Sequence, residues 1–513
     1  MKEIIRIDNG IAKMPEWRMA EPVNFTLEEG ENIAIVGPNG GGKTRLVNII
    51  IGAHPLLNNS VSYNFEPSKK TYVSDNIKSI TFRDSYGAES DGKYFLQQRW
   101  NSTEIDNETP VTGKVLEKAF ISSGEDTPER RQWQQHIYDL FSMRHFLDKY
   151  IILLSSGELR KYQLAKVLFS EPRILILDNP FIGLDEETRN LLKTTLSDLV
   201  KERSLQIILV LAKEDDIPEF ITHVVEVRNL KVNPKVSRTG YLSTRSSFPA
   251  HVLTKEKEEM ILNRRQHTVI GEEAYGNGRA PSRFVTDMDN DTDEVLRFNN
   301  VTVRYGERTI LKDLNWTVRR GEHWAMSGQN GSGKSTLLSL VSADNPQGYA
   351  CDISLFGHNR GTGETIWDIK KHIGYVSPEM HRAYISDLPS VRIVASGLSD
   401  SVGLYFKPNA EQYEICKWWM NIFGIAHLAD VSFLKLASGE QRLVLLARAF
   451  VKDPDLLILD EPLHGLDMYN RRLVKDIIDT FCKREGKTLI MVTHYKDEFP
   501  DCIDHTIVLK RNL

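Results

Sequence analysis

The sequence has few cysteines and no long run of apolar residues. The four cysteines of its 513 residues are Cys351, Cys416, Cys482 and Cys502. They are scattered and form no CxxC pair, which predicts reduced thiols and argues against a zinc or iron–sulfur site. Apolar stretches such as 207–212 and 456–459 are far shorter than the roughly 20 residues of a membrane helix, so we expect no membrane channel.

A strong excess of either charge is also lacking. The chain has 65 basic and 70 acidic residues and a formal net charge of −5. This balance does not favour electrostatic binding to nucleic acid or to an anionic membrane, and no clear nucleic-acid site is visible. The first residues, MKEIIRIDNG, lack the apolar core of a signal peptide. We expect a cytoplasmic protein, peripheral at the inner membrane if it serves a permease.

What the sequence does contain is an internal repeat. GPNGGGKT at 37–44 is matched by GQNGSGKST at 328–336, and each follows a short apolar run and precedes a helix-like segment. Three more motif pairs follow: LSSGE 154–158 with LASGE 436–440, ILILDNP 174–180 with LLILDEP 456–462, and GLD 183–185 with GLD 465–467. The residues between these later motifs are equal in number in the two copies, so we infer a duplicated domain.

The repeat and the composition divide the chain. We predict a first copy at 1–232, a linker at 233–293 rich in Ser, Pro, Gly and Asn, and a second copy at 294–513. A chain of this length can bury two substantial cores. Within the linker, 255–266 favours a short exposed helix, with a small recognition element as the alternative.

The two glycine-rich loops predict phosphate sites, because their backbone N–H groups and the following helix N-terminus converge on phosphate oxygens. Lys43 and Lys334 would reach the β- and γ-phosphates of ATP, and Thr44 and Ser335 would offer a hydroxyl to Mg²⁺. The other nucleotide-binding candidates in the loops are Gly37, Asn39, Gly40, Gly42, Arg45, Gly328, Asn330, Gly331, Gly333 and Thr336.

Asp178 and Asp460 each end a run of four apolar residues. Such a run predicts a strand that is buried on both faces. A carboxylate at the carboxyl end of that strand lies where open α/β sheets bind ligands. We therefore predict that both aspartates hold Mg²⁺.

The SGE motif shortly before each aspartate resembles the signature of ATP-binding cassettes, and the resemblance covers nearly the whole chain outside the linker. It implies an α/β fold with two P-loop nucleotide-binding domains, each with a mixed sheet and a helical signature subdomain. It also implies a pseudo-symmetric head-to-tail pair within a monomer, and Mg²⁺-dependent ATP hydrolysis. In that family the signature serine and glycine contact the γ-phosphate of ATP held by the opposite cassette.

The resemblance implies that the two sites are unequal. Glu461 follows Asp460 and corresponds to the family's general base, which raises the rate of hydrolysis by roughly 10²–10⁴-fold. The equivalent residue of the first copy is Asn179, whose amide cannot accept a proton. His494, the family's γ-phosphate sensor, is matched by Ala212.

Because each ATP of a cassette pair lies between copies, the sites are assigned across the pair. The impaired site takes Lys43, Thr44, Asp178 and Asn179 with Ser438 and Gly439. The competent site takes Lys334, Ser335, Asp460, Glu461 and His494 with Ser156 and Gly157. Both signatures are present, so we expect both sites to bind ATP and only one to hydrolyse it.

Two further positions differ between the copies. Tyr305 fits the aromatic residue that stacks on adenine, whereas the aligned residue of the first copy is Met14, with Trp17 nearby as a substitute. The glutamine-loop positions are Gln97 or Gln98 in the first copy and Glu379 in the second.

Segments 337–349 and 363–377 resemble the bacterial ModF family, tandem cassettes described as molybdate-transport ATP-binding or photorepair proteins. Nothing in these residues reads as an oxyanion site for molybdate. We expect a transport-associated ATPase that works with a separate permease. The alternatives are a ribosome-associated regulator like the F subfamily of cassettes, a nucleic-acid repair machine and a stand-alone ATP-dependent switch. The F subfamily usually has two catalytic glutamates and a long, strongly charged helical linker, so Asn179 and the Ser-, Gly- and Pro-bearing linker count against it.

Overall fold

Short apolar runs form the strands of two separate units, Met1–Phe248 and Pro249–Leu513, in the computed structural model of the chain. The boundary falls inside the segment that we predicted as a linker. The structure describes residues 2–510 apart from 58–59, 83–109, 152–153, 155, 182–183, 185, 203–204, 213–216, 245–248, 250, 265–292, 306–307, 329–330, 379, 381–383, 385–386, 401–407, 494 and 496–497.

The first unit is built on two sheets. Its described strands are β1 (Glu3–Gly10), β2 (Val23–Glu28), β3 (Ile33–Val36), β4 (Val61–Tyr63), β5 (Ile77–Thr81), β6 (Ile174–Asp178), β7 (Gln206–Leu211), β8 (His223–Arg228), β9 (Lys231–Val232) and β10 (Val236–Ser237). Strands β2, β1 and β4 form an antiparallel sheet in that order. The other sheet has the order β10, β8, β3, β7, β6, β5, and the last five of these are parallel. Every residue of β3 and β7 is buried, as in parallel strands covered on both faces.

A helical layer covers this parallel sheet. The described helices are α1 (Lys43–Ile50), α2 (Val73–Asn76), α3 (Thr112–Ser122), α4 (Pro128–Leu140), α5 (Ser156–Leu168), α6 (Glu186–Glu202) and α7 (Arg238–Thr244). Helix α4 begins with Pro128 after Thr127, whose hydroxyl accepts a hydrogen bond from the backbone of Arg130. The buried Phe120 of α3 and Ile137 of α4 share one apolar core with the sheet.

The second unit repeats the two-sheet plan. Its described strands are β11 (Glu294–Tyr305), β12 (Arg308–Arg319), β13 (His323–Gly328), β14 (Asp352–Leu355), β15 (His358–Asn359), β16 (Ile373–Val376), β17 (Leu456–Asp460), β18 (Thr488–Val492) and β19 (His505–Leu509). An antiparallel sheet has the order β12, β11, β14, β15, and a parallel sheet has the order β16, β17, β18, β13, β19.

The helices of the second unit pack around an apolar core that contains several aromatic side chains. They are α8 (Lys255–Leu262), α9 (Lys334–Val341), α10 (Ile366–Lys370), α11 (Ser390–Ala395), α12 (Ala410–Ile422), α13 (Ser438–Phe450) and α14 (Met468–Cys482). Helix α12 begins with a capping box in which Asn409 and Gln412 each accept the other's backbone N–H. Trp419 and Phe450 are fully buried and pack with tilted rings, 5.1 Å between ring centroids. The predicted α/β fold class, with sheets and a helical subdomain in each half, is confirmed.

The described part of the segment 233–293 contains elements that pack on each of the two units. Strand β10 pairs with β8 of the first unit, and α8 packs on α14 of the second. We predicted a helix at 255–266, and α8 lies there, but the prediction that it is exposed is wrong, since Ile261 is fully buried. Among the described helices, none combines the length and apolar character needed to span a bilayer.

Candidate functional site

In the first unit, β3 runs into a glycine-rich loop that wraps toward the start of α1. At Gly37 the φ angle is 145°, and a Cβ would lie 2.0 Å from the Val227 carbonyl oxygen, so the position admits only glycine. Gly42 caps α1 with a φ of 107°. The Lys43 ammonium donates to the carbonyl oxygens of Gly37 (2.7 Å) and Pro38 (2.8 Å) and thereby holds the loop closed on itself.

The loop between β13 and α9 in the second unit has the same construction. Gly328 has a φ of 153°, and a Cβ there would lie 2.5 Å from the Leu509 carbonyl oxygen. Gly333 caps α9 with a φ of 98°. Lys334 Nζ donates to the Gly328 carbonyl oxygen at 2.7 Å. Asn330, a predicted ligand-binding residue, lies outside the described residues.

The residues that flank the two lysines differ in exposure. Thr44 and Ser335 are exposed at the first turn of their helices, where a hydroxyl can reach a bound cation. Arg45 donates to the Arg18 carbonyl oxygen at 2.8 Å, and Thr336 is only 4% exposed and belongs to the buried face of α9. Gly40 and Gly331 have positive φ angles of 74° and 81°, and Asn39 directly precedes Gly40 in the first loop.

In each unit, the parallel sheet places the predicted site residues at its carboxyl edge. Strand β7 lies between β3 and β6, and β18 lies between β13 and β17. Because these strands are parallel, the phosphate loop, Asp178 and Ala212 share the carboxyl edge of one sheet, and the second loop and Asp460 share that of the other. His494, which follows β18, lies outside the described residues.

Asn179 and Glu461 have the same backbone geometry. Their φ angles are 51° and 48°, in a left-handed region that residues with a Cβ seldom adopt. Each donates its backbone N–H to the central strand, Asn179 to Val210 and Glu461 to Val492, both at 2.8 Å. A shared strained backbone at the same position is typical of functional turns. The two turns therefore differ in the side chain that they present rather than in its placement.

The Asn179 amide is engaged on both sides. Its Nδ2 donates to Asp178 Oδ1 at 2.8 Å, and its Oδ1 accepts the backbone N–H of Ala212 at 3.1 Å. Asp178, predicted to hold Mg²⁺, thus has one carboxylate oxygen bonded to a neighbouring amide. The amide ties together the ends of β6 and β7, which are the two positions where the catalytic residues differ between the copies.

A buried arginine connects each signature helix to the turn after the aspartate. In α13, Arg442 donates to the carbonyl oxygens of Asp460 (2.8 Å), Pro462 (3.3 Å) and Ser377 (3.2 Å), and also to that of Glu461. Burial lowers the pKa of Arg442 to about 10, against the opposing effect of the two acidic side chains, so the guanidinium stays charged at neutral pH.

Arg160 holds the equivalent position of the first unit. It donates to the Pro180 carbonyl oxygen at 2.8 Å and is 5% exposed. We did not predict either arginine as functional. The repeat contained the signal, since SGELR and SGEQR place an arginine at the same step after the signature.

A buried ion pair in the second unit joins the start of α14 to the end of β18. Arg471 donates to Glu498 Oε1 at 2.7 Å, and Thr493 donates its hydroxyl to Glu498 Oε2 at 2.7 Å. Asp467 caps α14 by accepting the backbone N–H of Asn470 at 2.8 Å. The first copy has the apolar Leu211 in the position of Thr493, so the hydroxyl of this connection is lost there.

The signature residues lie at helix starts. Ser438 begins α13, and the backbone N–H of Ala437 before it donates to Glu440 Oε2 at 2.8 Å. Gly439 is buried in the first turn. Ser156 begins α5 and is followed by Gly157, but the side chain of Ser156 lies outside the described residues.

The aromatic candidates for the adenine are placed differently in the two units. The Tyr305 hydroxyl at the end of β11 accepts a hydrogen bond of 3.0 Å from Asn345. Trp17 stacks on His54 with 4.4 Å between ring centroids, and Met14 is 42% exposed. The glutamine-loop candidates Gln97, Gln98 and Glu379 lie outside the described residues.

Comparison with known proteins agrees with this arrangement. Residues 20–182 and 311–464 match the ABC transporter family. The ABC transporter ATP-binding protein ModF of Escherichia coli (strain K12) is 35% identical, over 98% of this chain and 96% of that protein. An uncharacterized ABC transporter ATP-binding protein of Schizosaccharomyces pombe is 28% identical, over 98% of this chain and 97% of that protein.

Among solved structures, the complex of archaeal ribosomal stalk protein aP1 and ribosome recycling factor aABCE1 shares the fold. The TM-score is 0.53 at 16% identity, and the match covers 98% of this chain and 87% of that one. A structure of RNase-L Inhibitor matches with a TM-score of 0.52, also at 16% identity, over 99% of this chain and 88% of that one. Motifs, sheet order and full-length similarity lead to one conclusion: the chain belongs to the ATP-binding cassette family and carries the cassette twice.

Proposed function

We propose that this protein is a transport-associated ATPase in which only the second copy supplies a complete set of hydrolytic residues. Membership of the cassette family implies ATP binding and hydrolysis. The proposal of unequal sites rests on one observation, the shared turn geometry of Asn179 and Glu461. At this position the second copy presents a carboxylate, whereas the first presents an amide that is already bonded to Asp178.

The second copy's residues have distinct roles in the proposal. Lys334 binds the β- and γ-phosphates, and Glu461 accepts the proton of the attacking water. His494 contacts the γ-phosphate. The hydroxyl and carboxylate oxygens of Ser335 and Asp460 suit Mg²⁺, which when bound neutralises phosphate charge.

We expect the first copy to bind ATP without hydrolysing it. Lys43 and Thr44 provide the same phosphate and cation contacts as their counterparts. Asn179 cannot take a proton, and Ala212 has no imidazole to place on the phosphate. Following the family resemblance, we further propose that the signature of each copy completes the ATP site of the other. On this assignment Ser438 and Gly439 serve the nucleotide of the first copy.

A single-turnover experiment tests the inequality. The wild-type chain is loaded with radiolabelled ATP and Mg²⁺, passed over a desalting column, and quenched at intervals. We expect both nucleotides to bind and only one of them to become ADP, while the Glu461→Gln variant retains both as ATP. Conversion of both nucleotides at similar rates in the wild type would refute the proposal.

The cellular role is proposed as transport with a separate permease, at the inner face of the membrane. The support is full-length similarity to a bacterial protein named as an ABC transporter ATP-binding protein. Molybdate is not part of the proposal, because segments 337–349 and 363–377, which carry the resemblance to the ModF family, contain no recognisable oxyanion site.

A ribosome-associated role is the second candidate. The fold is shared with the archaeal recycling factor, but a sequence identity of 16% indicates a common fold and not a common function. Affinity purification with the ATP-trapped Glu461→Gln variant separates the two roles. Recovery of a membrane permease supports transport, and recovery of ribosomes would replace it with the second role.

A further inference from the structure

Three side chains that are far apart in sequence meet in the second unit. His323 begins β13, Cys482 ends α14, and Cys502 lies just before β19. The ligand atoms of these three residues, two sulfurs and an imidazole nitrogen, all lie within 4.8 Å of one another. The scattered positions of the cysteines predicted separate thiols and argued against zinc; the fold brings two of the thiols together beside a histidine.

We propose that His323, Cys482 and Cys502 bind a thiophilic divalent cation of the zinc type. Zinc takes thiolate sulfur at about 2.3 Å and imidazole nitrogen at about 2.0–2.1 Å, which requires ligand atoms roughly 3.6–3.8 Å apart in a tetrahedron. The ligand atoms lie within 4.8 Å of one another in the structure, so each pair is at most about 1 Å wider than that spacing. Three protein ligands leave the fourth tetrahedral position for a water molecule.

The His323 ring has one partner of the kind that holds a metal-binding imidazole. Its Nε2 lies 3.1 Å from the Lys487 carbonyl oxygen, and its Nδ1 lies 3.2 Å from the Cys502 carbonyl oxygen. A metal-binding imidazole usually donates its other N–H to a carbonyl or carboxylate oxygen. With Nε2 bonded to the Lys487 carbonyl, Nδ1 is the nitrogen that would bind the cation, and the ring would turn it from the Cys502 carbonyl oxygen toward the two sulfurs.

The segments that carry the ligands are held in place by other bonds. The backbone N–H of Cys502 donates to Asp479 Oδ1 at 2.8 Å, and Asp479 lies one turn before Cys482 on α14. The backbone N–H of His323 donates to Asp504 Oδ1 at 2.9 Å. Both sulfurs and the ring are thus positioned before a cation arrives, which lowers the entropic cost of binding.

The cluster belongs to the second unit only. The equivalent positions of the first copy hold Asn32, Val200 and Phe220, and the latter two pack at the edge of the apolar core. The same fold is therefore built without the cluster, so packing does not require a histidine and two cysteines there. This difference also supplies the substitutions for a test.

The proposed site is separate from the ATP site. His323 is the first residue of β13, and the phosphate loop begins at Gly328, its last residue. At about 3.3 Å per residue the two ends of that strand are roughly 16 Å apart. A cation at the cluster would tie the amino ends of β13 and β19 to the end of α14, and it would not contact ATP.

The test is a cobalt titration of the full-length, reduced and chelator-treated chain without nucleotide. Cobalt(II) bound by thiolates gives intense near-ultraviolet charge-transfer bands together with visible d–d bands. We expect these bands to saturate at one cobalt ion per chain and to disappear when Zn²⁺ is added. The Glu461→Gln variant should titrate like the wild type, because the site does not involve ATP.

The variants use residues that the first copy already accommodates. Cys482→Val and Cys502→Phe should lose the thiolate bands, and His323→Asn should weaken cobalt affinity by more than about tenfold. Cys351→Ser and Cys416→Ser are the controls and should keep the bands. Where a larger side chain disturbs folding, Cys482→Ser and Cys502→Ser give the same readout.

Two results would overturn the proposal. The first is a wild-type titration without thiolate bands, including one in which Cys482 and Cys502 form a disulfide but the reduced chain takes up no cation. The second is retention of the bands in Cys482→Val or Cys502→Phe.

Discussion

The side-chain amide of Asn179 donates a 2.8 Å hydrogen bond to Asp178 Oδ1. This bond engages one carboxylate oxygen of Asp178 with an amide. In the second copy the equivalent aspartate, Asp460, is followed by Glu461. Since Asn179 and Glu461 share one backbone geometry, the two copies differ at this turn in the chemistry of the side chain and not in its backbone.

The first prediction compares these two residues. Glu461→Gln should lower kcat for ATP hydrolysis by on the order of 10²–10⁴-fold, because the general base is lost while the phosphate contacts remain. Steady-state phosphate release and equilibrium ATP binding measure the two effects. Asn179→Ala is the matched control and should leave kcat within about threefold of wild type. If Asn179→Ala abolished hydrolysis and Glu461→Gln did not, the assignment of the sites would be reversed.

The second prediction concerns the close approach at the phosphate loop. Gly328→Ala should abolish ATP binding by the second copy, because its Cβ would lie 2.5 Å from the Leu509 carbonyl oxygen. Gly321→Ala is a control with a positive φ of 82° and no atom within 4 Å of the added Cβ. Gly321→Ala should lower the free energy of unfolding by only roughly 1–2 kcal/mol, the strain of a non-glycine residue in the left-handed region. Fluorescent-nucleotide titration and the thermal midpoint Tm distinguish the two effects.

The third prediction tests the buried arginines. Arg442→Lys loses the planar fork that reaches several carbonyl oxygens, so kcat should fall at least tenfold while ATP still binds. Each variant should also destabilise its unit by about 1–3 kcal/mol, because buried acceptors lose their donor. Arg160→Lys is the matched comparison: it should lower stability to a similar extent but lower kcat less than Arg442→Lys does, since the turn that Arg160 supports carries Asn179 and not the general base. Equal loss of kcat in both variants would contradict this account.

The fourth prediction concerns the ion pair between Arg471 and Glu498, which is 2.7 Å long and has side chains only 15% and 6% exposed. Glu498→Ala should destabilise the second unit by about 3–5 kcal/mol, because an uncompensated buried charge remains. It should also lower kcat, since Thr493 beside the sensor position loses its acceptor.

The control for this prediction is the ion pair of Asp293 and Arg319, at 2.8 Å but with side chains 64% and 57% exposed. Asp293→Ala should leave both stability and kcat nearly unaltered, because an exposed ion pair contributes little to stability. Urea denaturation followed by tryptophan fluorescence measures both variants. Similar losses in the two would show that burial does not set the strength of the first pair.

Much of the fold was predictable because its signals are local. A four-residue apolar run that ends in aspartate, as at Asp178, predicts a buried parallel strand, and glycines before Lys43 and Lys334 predict tight loops. The duplication also makes positions comparable, so the change from Glu461 to Asn179 is visible in the amino-acid sequence itself. The family resemblance supplied the roles of these residues.

Contacts between distant segments were not predictable in the same way. The bond from Asn179 to the backbone of Ala212 depends on the pairing of β6 with β7, which no local pattern states. The meeting of Cys482 and Cys502 depends on how α14 ends beside β19. Composition suggested that the stretch around Ile261 was an exposed linker helix, yet Ile261 is buried and the helix packs on α14.

That packing has a practical consequence for dividing the gene. The backbone N–H groups of Val252 and Leu253 donate to Asp476 Oδ2 at 2.7 and 3.0 Å, and the Arg264 guanidinium lies 4.4 Å above the Trp418 ring. A fragment that started near residue 294 would lack these contacts and would expose Asp476 and Trp418 to solvent. A fragment that started at residue 249 would retain the segment that covers them.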